Sequence, residues 1–339
     1  MPTEVLALGI VGFGSMGRLH AQQLGYLPNV KISAIVDTQE RNRDDARALY
    51  SQSGVEIFED VDQALKATDI RAWVVASSTA THIEVAEKLL NRQCTILLEK
   101  PIAATFDEAE RIRSLVDANS SNLMMGHILL WHREFRAVQD ALSLVGRIHT
   151  ISASRQRGRD HRLRYPGETP FTLTMVHDLY SVFALMSGAQ PYSLSAQQRE
   201  HEAGGVDLAL AEITWRTPEE VVAFFHANFL LPDGAPEGGA IDELQVVGEK
   251  GVIRLSYESG YLTVLTPGQT RRVEIPRPSG AGVASFFDDA LRSELESFVN
   301  VVRNEEKVPV GARYDDACQI QKWIEGFMKS VESGVTHQC

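Results

Sequence analysis

Residues 5–17 read VLALGIVGFGSMG, an apolar run that leads directly into three closely spaced glycines. The glycines and the residues between them fit the pattern G-x-G-x-x-G, formed by Gly12, Phe13, Gly14, Ser15, Met16 and Gly17. The apolar run predicts a buried strand, and residues 15–24 have the spacing of an amphipathic helix. In that setting the first glycine allows a tight turn, the second lets a pyrophosphate approach the backbone, and the third lets helix and strand pack closely. The stretch therefore predicts a dinucleotide-binding turn at a helix N-terminus, and the alternative is a glycine-rich turn without a ligand.

An acidic residue, Asp37, ends the second predicted strand, 20 residues after Gly17. A carboxylate at this place accepts hydrogen bonds from the adenosine ribose hydroxyls and repels a 2′-phosphate, so NAD(H) is favoured over NADP(H). Arg41 and Arg43 follow shortly after and could pair with a 2′-phosphate, which leaves NADP(H) open. The alternative for both arginines is a solvated first turn of the next helix.

Up to residue 126, short apolar runs alternate with amphipathic stretches. The predicted strands are 5–11, 31–37, 55–58, 72–76, 95–99 and 122–126, and the predicted helices are 15–24, 39–51, 60–66, 81–91 and 105–118. A strand followed by a helix, repeated five times, predicts a parallel sheet with right-handed crossovers. Residues 1–126 are therefore predicted to form a doubly wound Rossmann domain that binds NAD(P).

Residues 127–339 have a different pattern. After a predicted helix over 133–144, long alternating segments rich in β-branched and aromatic residues predict a large, mostly antiparallel open sheet. The predicted strands are 147–157, 206–216, 221–231, 243–247, 252–257 and 261–266, with a turn at 217–218, a surface loop over 232–239, and closing helices over 285–303 and 315–333. This second α/β domain is predicted to bind the substrate. Because its open sheet must be covered, we expect a homodimer or homotetramer through that face.

The composition excludes several classes of protein. The chain has 339 residues, of which 44% are hydrophobic and 23% charged, as in ordinary globular proteins. Its 33 basic and 45 acidic side chains give a net charge of −12, which disfavours nucleic acid and anionic membranes as partners. Three scattered cysteines suit neither a disulfide framework nor a zinc site. We expect a cytoplasmic protein without a metal, a nucleic-acid partner or a membrane span.

A lysine follows the fifth predicted strand, in the segment TILLEKP at residues 95–101. Ligands bind at the carboxyl ends of the strands in open α/β sheets, so Lys100 lies at the predicted site. The tripeptide Glu99-Lys100-Pro101 after such a strand, with the glycine pattern upstream, resembles the Gfo/Idh/MocA oxidoreductase family. The resemblance covers nearly the whole chain and includes SSTATH at residues 77–82 and VHDL at 176–179.

The resemblance implies a role for several residues. Lys100 would hydrogen-bond the reacting hydroxyl near the nicotinamide, Pro101 would follow a peptide bond that is often cis, and His177 would exchange a proton with the alcohol. It also places a set of residues at the cofactor, namely Ser77, Ser78, Thr79, His82, Glu99, Lys100 and Pro101. The chemistry is consistent, since histidine titrates nearest neutral pH and an ammonium stabilises the oxygen as it becomes negative. The alternatives are a structural histidine and a surface lysine.

The segment around His177 departs from the family pattern. An aspartate often lies four residues before this histidine, whereas position 173 is Leu, and Tyr180 stands where a second aspartate often occurs. The remaining polar candidates for contact with the substrate are Thr174, three residues earlier, and the adjacent Asp178. Thr174 is the better placed, because neighbours on a helix do not face the same way.

Five arginines lie within ten residues, at 155, 157, 159, 162 and 164, in an otherwise acidic chain. The guanidinium group binds carboxylate or phosphate, so Arg159 and Arg162, with Tyr165, are candidates for contact with an acidic group of the substrate. The alternative is a strand end and loop whose arginines pair with acidic neighbours or with a partner subunit.

The combined hypothesis is an NAD(P)-dependent dehydrogenase that acts on the CH–OH group of a sugar, cyclitol or sugar acid, with Lys100 orienting the hydroxyl and His177 exchanging the proton. Two alternatives stay open, namely a weakly catalytic nucleotide-binding sensor or scaffold on the same fold and a dihydrodiol or imine dehydrogenase.

Overall fold

The computed structural model of the protein describes residues 5–165, 167–202, 204–216, 219–232 and 240–339. The chain divides into two compact units, the first formed by Met1–Trp131 and Pro278–Gln321 and the second by His132–Arg277 and Lys322–Cys339. The predicted domains, 1–126 and 127–339, are each continuous, whereas each unit contains two segments of the chain. The division into a cofactor domain and a substrate domain stays a prediction.

The first unit contains a parallel sheet with helices between its strands. In chain order its elements are β1 (Leu6–Val11), α1 (Ser15–Leu24), β2 (Val30–Val36), α2 (Glu40–Tyr50), β3 (Glu56–Phe58), α3 (Val61–Ala67), β4 (Ala72–Val75), α4 (His82–Leu90), β5 (Thr95–Glu99), α5 (Phe106–Glu110) and β6 (Leu123–Gly126). The strand order is β3-β2-β1-β4-β5-β6, and every described pair in it is parallel. The predicted doubly wound fold is confirmed, and the order reverses between β1 and β4, where such sheets bind ligands.

The predicted helix over 105–118 is shorter than expected. Only α5 is α-helical, and 3-10 turns follow at Arg113–Leu115 and Ala118–Ser120. Asn122 provides the physical reason, because its side chain binds the carbonyl of Leu115 at 2.9 Å and the N–H of Asp117 at 2.8 Å. These contacts replace helical hydrogen bonds and return the chain to β6.

The first unit also includes a segment from late in the chain. Helix α9 (Phe286–Val302) begins with a capping box, in which the side chains of Ser285 and Asp288 each bind the other residue's backbone. Arg292 on this helix donates two hydrogen bonds to Oε1 of Gln23 on α1, at 3.1 and 2.8 Å. The sequence did not indicate that this late segment belongs to the same unit as the Rossmann sheet.

The second unit contains a large sheet with helices. Its elements are α6 (Arg133–Val145), β7 (Ile148–Gly158), α7 (His161–Arg164), α8 (Val176–Leu185), β8 (Ser193–Glu200), β9 (Val206–Arg216), β10 (Glu220–Leu231), β11 (Ala240–Gly248), β12 (Gly251–Ser256), β13 (Tyr261–Thr266), β14 (Gln269–Glu274) and β15 (His337–Gln338); α10 (Tyr314–Ser333) belongs to both units. The strand order is β14-β13-β12-β11-β7-β10-β9-β8-β15, antiparallel except between β7 and β10. The prediction of a mostly antiparallel sheet is confirmed, although β8, β14 and β15 were not predicted.

One face of this sheet is buried and the other is open. Along β10, Val221, Ala223 and Phe225 are buried, whereas Phe224 between them is 46% exposed. This alternation is the pattern of a half-covered antiparallel sheet. The predicted turn at 217–218 and the predicted loop from residue 233 to 239 lie outside the described residues.

Within the described part of the chain, no helix has the length and apolar character needed to cross a membrane.

Candidate active site

The glycine turn lies between β1 and α1, at the carboxyl edge of the first unit's sheet. Gly12 has a φ of +88°, and a Cβ there would lie 2.6 Å from the carbonyl of Ala76. A Cβ on Gly17 would lie 1.9 Å from the carbonyl oxygen of Gly12. By contrast, a Cβ on Gly14 would meet nothing within 4 Å. The protein's own packing thus requires Gly12 and Gly17, while Gly14 keeps open a space that a bound group can approach.

The N-terminus of α1 is suited to a negatively charged ligand. Gly14 is its N-cap and provides no capping side chain, and the first turn contains no acidic residue. N–H groups at a helix N-terminus bind phosphate when no capping side chain and no acidic residue occupy the first turn. Of the other residues in the predicted pattern, Ser15 is exposed and Phe13 is buried, with its ring against Tyr50 and Arg18.

Asp37 follows β2 and is held by three hydrogen bonds. Its Oδ2 accepts from the N–H of Phe13 at 2.6 Å and from Nδ2 of Asn42 at 3.0 Å, and its Oδ1 accepts from the N–H of Gln39 at 2.8 Å. The carboxylate is therefore fixed beside the glycine turn. Arg43 is buried and donates to the carbonyls of Asp37 and Thr38, at 2.8 and 2.9 Å. The alternative in which Arg43 forms a solvated turn is wrong because the side chain is buried, and these contacts disfavour its pairing with a 2′-phosphate, which stays a prediction.

A cavity of about 470 Å³ opens beside these groups in the first unit. Its lining includes Gly12, Gly14, Met16 and Asp37, from the predicted set, and Ser77 and Ser78 from the loop after β4. Three further carboxylates line it, those of Glu59, Asp60 and Glu84, together with Lys88. Lys88 pairs with Glu84 and Asp62, both at 3.0 Å. The lining thus fits the neutral hydroxyls of an adenosine ribose better than an added phosphate.

The loop after β4 is organised by hydrogen bonds of its own. The hydroxyl of Thr81 donates to Oγ of Ser77 at 2.8 Å and to the carbonyl of Ser78 at 2.9 Å. Thr79 opens a 3-10 turn and caps neither that turn nor α4, whose N-caps are Ser78 and Thr81.

His82 lies beneath this loop. It is 1% exposed, with Nδ1 2.8 Å from the carbonyl oxygen of Pro101 and Nε2 3.1 Å from that of Ser77. Burial lowers the pKa of His82, and the hydrogen bonds to the two carbonyls act in the opposite direction. His82 is outside the lining of the cavity, and its contacts favour an indirect role, in which it ties the Ser77 loop to Pro101.

Lys100 follows β5, and the Lys100–Pro101 peptide bond is cis. The side chain of Lys100 is half-buried, whereas the neighbouring Glu99 points into the protein. Glu99 accepts the N–H of Lys100 at Oε2 (3.1 Å), and its Oε1 lies 2.8 Å from Nε2 of the fully buried His20. Burial acts to raise the pKa of Glu99, but His20 and Lys100 hold it below its ordinary range. Glu99 therefore acts on Lys100 through the backbone and through its charge.

A second acid lies near Glu99. Glu294 on α9 is 0% exposed, and neither of its carboxyl oxygens has a hydrogen-bond partner among the described residues. Burial, and then the negative charge of Glu99, raise the pKa of Glu294 well above its ordinary value of 4.5. The folded chain therefore keeps this carboxyl protonated at a pH where the unfolded chain ionises it.

Glu294→Gln is expected to make the protein relatively more stable as the pH rises. Between pH 4.5 and the raised pKa of Glu294, the folded state binds up to one more proton than the unfolded state, so the wild type loses stability through this group as the pH rises through that range. An amide does not titrate. The variant's unfolding temperature minus that of the wild type should therefore increase between pH 4.5 and pH 8, measured by circular dichroism.

The matched control is Glu296→Gln, an exposed acid two residues further along α9, whose difference from the wild type should not follow this trend. A difference for Glu294→Gln that stays constant across this range would show that Glu294 is ionised in the folded protein.

In the second unit, His177 lies in the first turn of α8 and is half-buried. Its Nδ1 is 2.8 Å from the hydroxyl of Tyr180, and the two rings form an edge contact at 5.6 Å and 74°. Tyr180 is 0% exposed. A tyrosine thus supplies a polar contact to His177 at the position where a carboxylate is common in the family pattern.

The two polar residues predicted to contact the substrate near His177 have other partners. Asp178 is 3% exposed and accepts from Nε of Arg155 at 2.9 Å. Burial raises its pKa to about 6 even beside Arg155. The hydroxyl of Thr174, also 3% exposed, donates to the carbonyl of Pro170 at 3.0 Å. These contacts assign both side chains to the interior of the second unit, which disfavours the predicted contact with a substrate.

Some arginines of this segment pair with carboxylates of the same chain, whereas its other residues are exposed or bind a backbone carbonyl. Arg155 and Arg157 pair with Asp242, and Arg164 pairs with Asp160, as the structural interpretation predicts. Arg162 donates to the carbonyl of Gly204 at 2.7 Å, and Arg159 and Tyr165 are exposed. Contact of Arg159, Arg162 and Tyr165 with a substrate stays a prediction.

Two contacts were missed from the sequence. Tyr180 could have been found as the partner of His177 from their spacing, since residues three apart share a helix face. His20 lies three residues after Gly17 on α1, but its pairing with Glu99 joins residues 79 positions apart. Glu294 carries no local signal, because its burial depends on the packing of α9.

Comparisons with known proteins agree with this architecture. The GFO_IDH_MocA family model, described as an oxidoreductase family with an NAD-binding Rossmann fold, matches residues 6–127. An inositol 2-dehydrogenase from Arthrobacter is 30% identical, over 91% of this chain and 97% of that protein. An inositol 2-dehydrogenase from Rubrobacter xylanophilus is 29% identical, over 98% of this chain and 92% of that protein.

A solved structure has the same fold. It is that of scyllo-inositol dehydrogenase from Lactobacillus casei with bound NAD(H) and scyllo-inositol, with a TM-score of 0.80 and 21% identity over 99% of each chain.

Proposed function

The chain belongs to the Gfo/Idh/MocA oxidoreductase family, and from this premise we propose that it transfers a hydride between NAD(H) and a secondary hydroxyl of a cyclitol, sugar or sugar acid. The observation that carries the proposal is the open position at Gly14, beside the fixed carboxylate of Asp37 and on the same sheet edge as Lys100. The substrate class is supported by the two relatives described above, each of which is an inositol 2-dehydrogenase.

The chain's own residues account for binding and proton transfer. Gly12, Gly14 and the first turn of α1 would hold the pyrophosphate, and Asp37 the adenosine ribose. Bound NAD⁺ would supply the hydride acceptor. The ammonium of Lys100 would stabilise the substrate oxygen as it becomes negative, and His177 would accept the hydroxyl proton.

The wild type is expected to bind NADH at least about tenfold more tightly than NADPH, a difference of about 1.4 kcal/mol. Asp37 and the other carboxylates of the cavity repel a 2′-phosphate. Asp37→Ser should reduce this ratio toward one, measured by calorimetric titration with both cofactors. The ratio of the two affinities is more informative than either affinity alone. Asp37→Ser also removes the acceptor of the Phe13 N–H, so it can weaken the binding of both cofactors.

Asp44→Ser, on the exposed side of α2, is the matched control and should keep the ratio of the wild type. Tighter binding of NADPH by the wild type would overturn the assignment of Asp37. In that case Arg41, which is exposed on α2, becomes the candidate for the 2′-phosphate.

The experiment that tests the function is a screen of NAD⁺ reduction at 340 nm with neutral and acidic polyols, namely myo-inositol, scyllo-inositol, glucose and glucuronate. Oxidation of a neutral polyol supports the proposal, and preference for glucuronate additionally supports contact with Arg159 and Arg162. NADH binding without turnover of any polyol would favour a sensor or scaffold. Oxidation of a dihydrodiol by NAD⁺, or reduction of a cyclic imine by NADH, would instead move the enzyme to that class.

We propose further that a second copy of the chain covers the open face of the second unit's sheet. A shallow cavity of about 520 Å³ on this sheet is lined by Leu210, Phe224 and His226, and Leu210 and Phe224 are 40% and 46% exposed. Apolar side chains on an open sheet favour association. Sedimentation equilibrium measures the mass, and a monomer at micromolar concentration would contradict this assembly.

A further inference from the structure

The contact between His177 and Tyr180 fixes one nitrogen of the imidazole. Nδ1 lies 2.8 Å from the phenol oxygen, and the edge contact between the rings holds the imidazole plane at 74° to the phenol. Tyr180 is fully buried, whereas His177 is only half-buried. The Nδ1 side of the imidazole is therefore anchored on a residue that the second unit's interior holds in place.

Asp178, the acid next to His177, does not anchor the imidazole. The carboxylate of Asp178 pairs with Arg155, and Arg155 also pairs with Asp242 at 2.9 Å. The Asp178 carboxylate therefore belongs to a buried ionic cluster. Thr174 donates to the carbonyl of Pro170 within its own turn. Position 173, one turn before His177, is Leu, whose side chain is apolar. Among these side chains near His177, the phenol is the one with an observed hydrogen bond to its ring.

We propose that Tyr180 is a positioning residue that accepts the Nδ1–H of His177 and so selects the tautomer in which Nε2 carries the lone pair. This inference rests on the proposed function, in which His177 takes a proton from the substrate. A neutral imidazole has one protonated nitrogen, and the partner at one nitrogen decides which it is. A phenol hydroxyl orients the ring without adding a negative charge, unlike a carboxylate.

In the proposed step the carbinol loses one hydride and one proton. Oxidation breaks the C–H and O–H bonds of the carbinol and forms the C=O bond. Bound NAD⁺ would accept the hydride, and Nε2 of His177 would accept the proton. The resulting imidazolium keeps its Nδ1–H bond to Tyr180, so the ring need not rotate between proton acceptance and release.

The test is ¹⁵N NMR of the full-length protein labelled at its histidine side chains, at about pH 8.5, where an ordinary imidazole is neutral. The spectrum of His177→Gln identifies the His177 signals by their loss. In the wild type we expect a protonated Nδ1 and an unprotonated Nε2. In Tyr180→Phe, which removes only the hydroxyl, we expect the two nitrogens to show a mixture of tautomers.

The matched control is Tyr257→Phe. Tyr257 is a buried tyrosine of the same unit whose hydroxyl has no hydrogen-bond partner in the described part of the chain, so its loss should leave the His177 signals unchanged. A protonated Nε2 in the wild type would overturn the proposal, because the phenol would then be the donor. This outcome needs no variant, so a folding defect of Tyr180→Phe cannot obscure it. Unchanged signals in Tyr180→Phe would also overturn it.

A kinetic measurement follows with the polyol that the wild type oxidises most rapidly. Tyr180→Phe should lower kcat about tenfold with KM changed less than about twofold. The substrate still binds, and only the population of the tautomer with an unprotonated Nε2 decreases. Equal kcat values would contradict the positioning role. If no polyol is oxidised, the proposed function fails, whereas the tautomer of His177 is still decided by the NMR spectrum.

Discussion

Lys100→Ala is expected to lower kcat for polyol oxidation by about 10²- to 10³-fold, the cost of losing one preorganised group that stabilises a developing oxyanion. The affinity for NADH should change far less, because Lys100 is outside the lining of the cavity beside Asp37. The fold should persist, since the group that Glu99 holds is the backbone N–H of residue 100, which alanine retains. Stopped-flow measurement of NADH formation gives kcat, and calorimetry gives the affinity.

Two variants make this result interpretable. Lys100→Arg keeps a positive charge but changes its shape and reach, so it should retain more activity than alanine while remaining well below the wild type. Lys66→Ala removes an exposed lysine of α3 in the same unit and should leave kcat unchanged. If Lys100→Ala keeps more than about a tenth of the wild-type kcat, another group stabilises the oxygen, and the assignment of Lys100 is wrong.

The family and the fold class could be predicted because their signals are local. The apolar run, the glycine turn and Asp37 lie within the first 37 residues, and the resemblance to the Gfo/Idh/MocA family that they support with residues 99–101 is confirmed. Buried parallel strands are short and continuously apolar, so β1, β2, β4 and β5 were predicted within one residue at each end.

The missed strands show where local patterns fail. Strand β14 has the sequence QTRRVE and is exposed along most of its length, so its alternation is not hydrophobic. It forms because its backbone pairs with β13, from Tyr261 opposite Glu274 to Thr266 opposite Gln269. Strand β8 is similarly polar and depends on pairing with β9. Such polar strands are specified by the strands they pair with, and a propensity argument cannot find them.

Residues of the candidate site could be predicted where the chemistry of a single residue is informative. Contacts between residues far apart in the sequence could not. Gly12, Gly14, Met16, Asp37, Ser77 and Ser78 line one cavity, and their contact with a cofactor stays a prediction. The arginines were ambiguous because a guanidinium binds a structural carboxylate and a substrate carboxylate equally well. Arg155 joins Asp178 and Asp242, residues 23 and 87 positions away, and only the folded sheet brings them together.

Gly17→Ala and Gly14→Ala are expected to damage the protein in different ways, which separates the packing of the glycine turn from its binding of a cofactor. A Cβ on Gly17 would lie 1.9 Å from the carbonyl oxygen of Gly12, so α1 must move away from the turn. Overpacking of this kind costs about 1–3 kcal/mol. Gly17→Ala should therefore unfold at lower urea concentration without any ligand, and it should bind NADH weakly as well.

Gly14→Ala should leave the stability of the ligand-free protein within about 1 kcal/mol of the wild type, because a Cβ there meets nothing within 4 Å and the φ of −72° suits alanine. The same methyl group would occupy the space where the pyrophosphate approaches the backbone, so NADH affinity should fall about tenfold or more, about 1.4 kcal/mol. Urea titration monitored by circular dichroism gives the first quantity and calorimetry the second. Unchanged NADH affinity in Gly14→Ala would mean that the pyrophosphate does not bind at the N-terminus of α1. An equal loss of ligand-free stability in both variants would mean that the turn is packed more tightly around Gly14 than its open surroundings indicate.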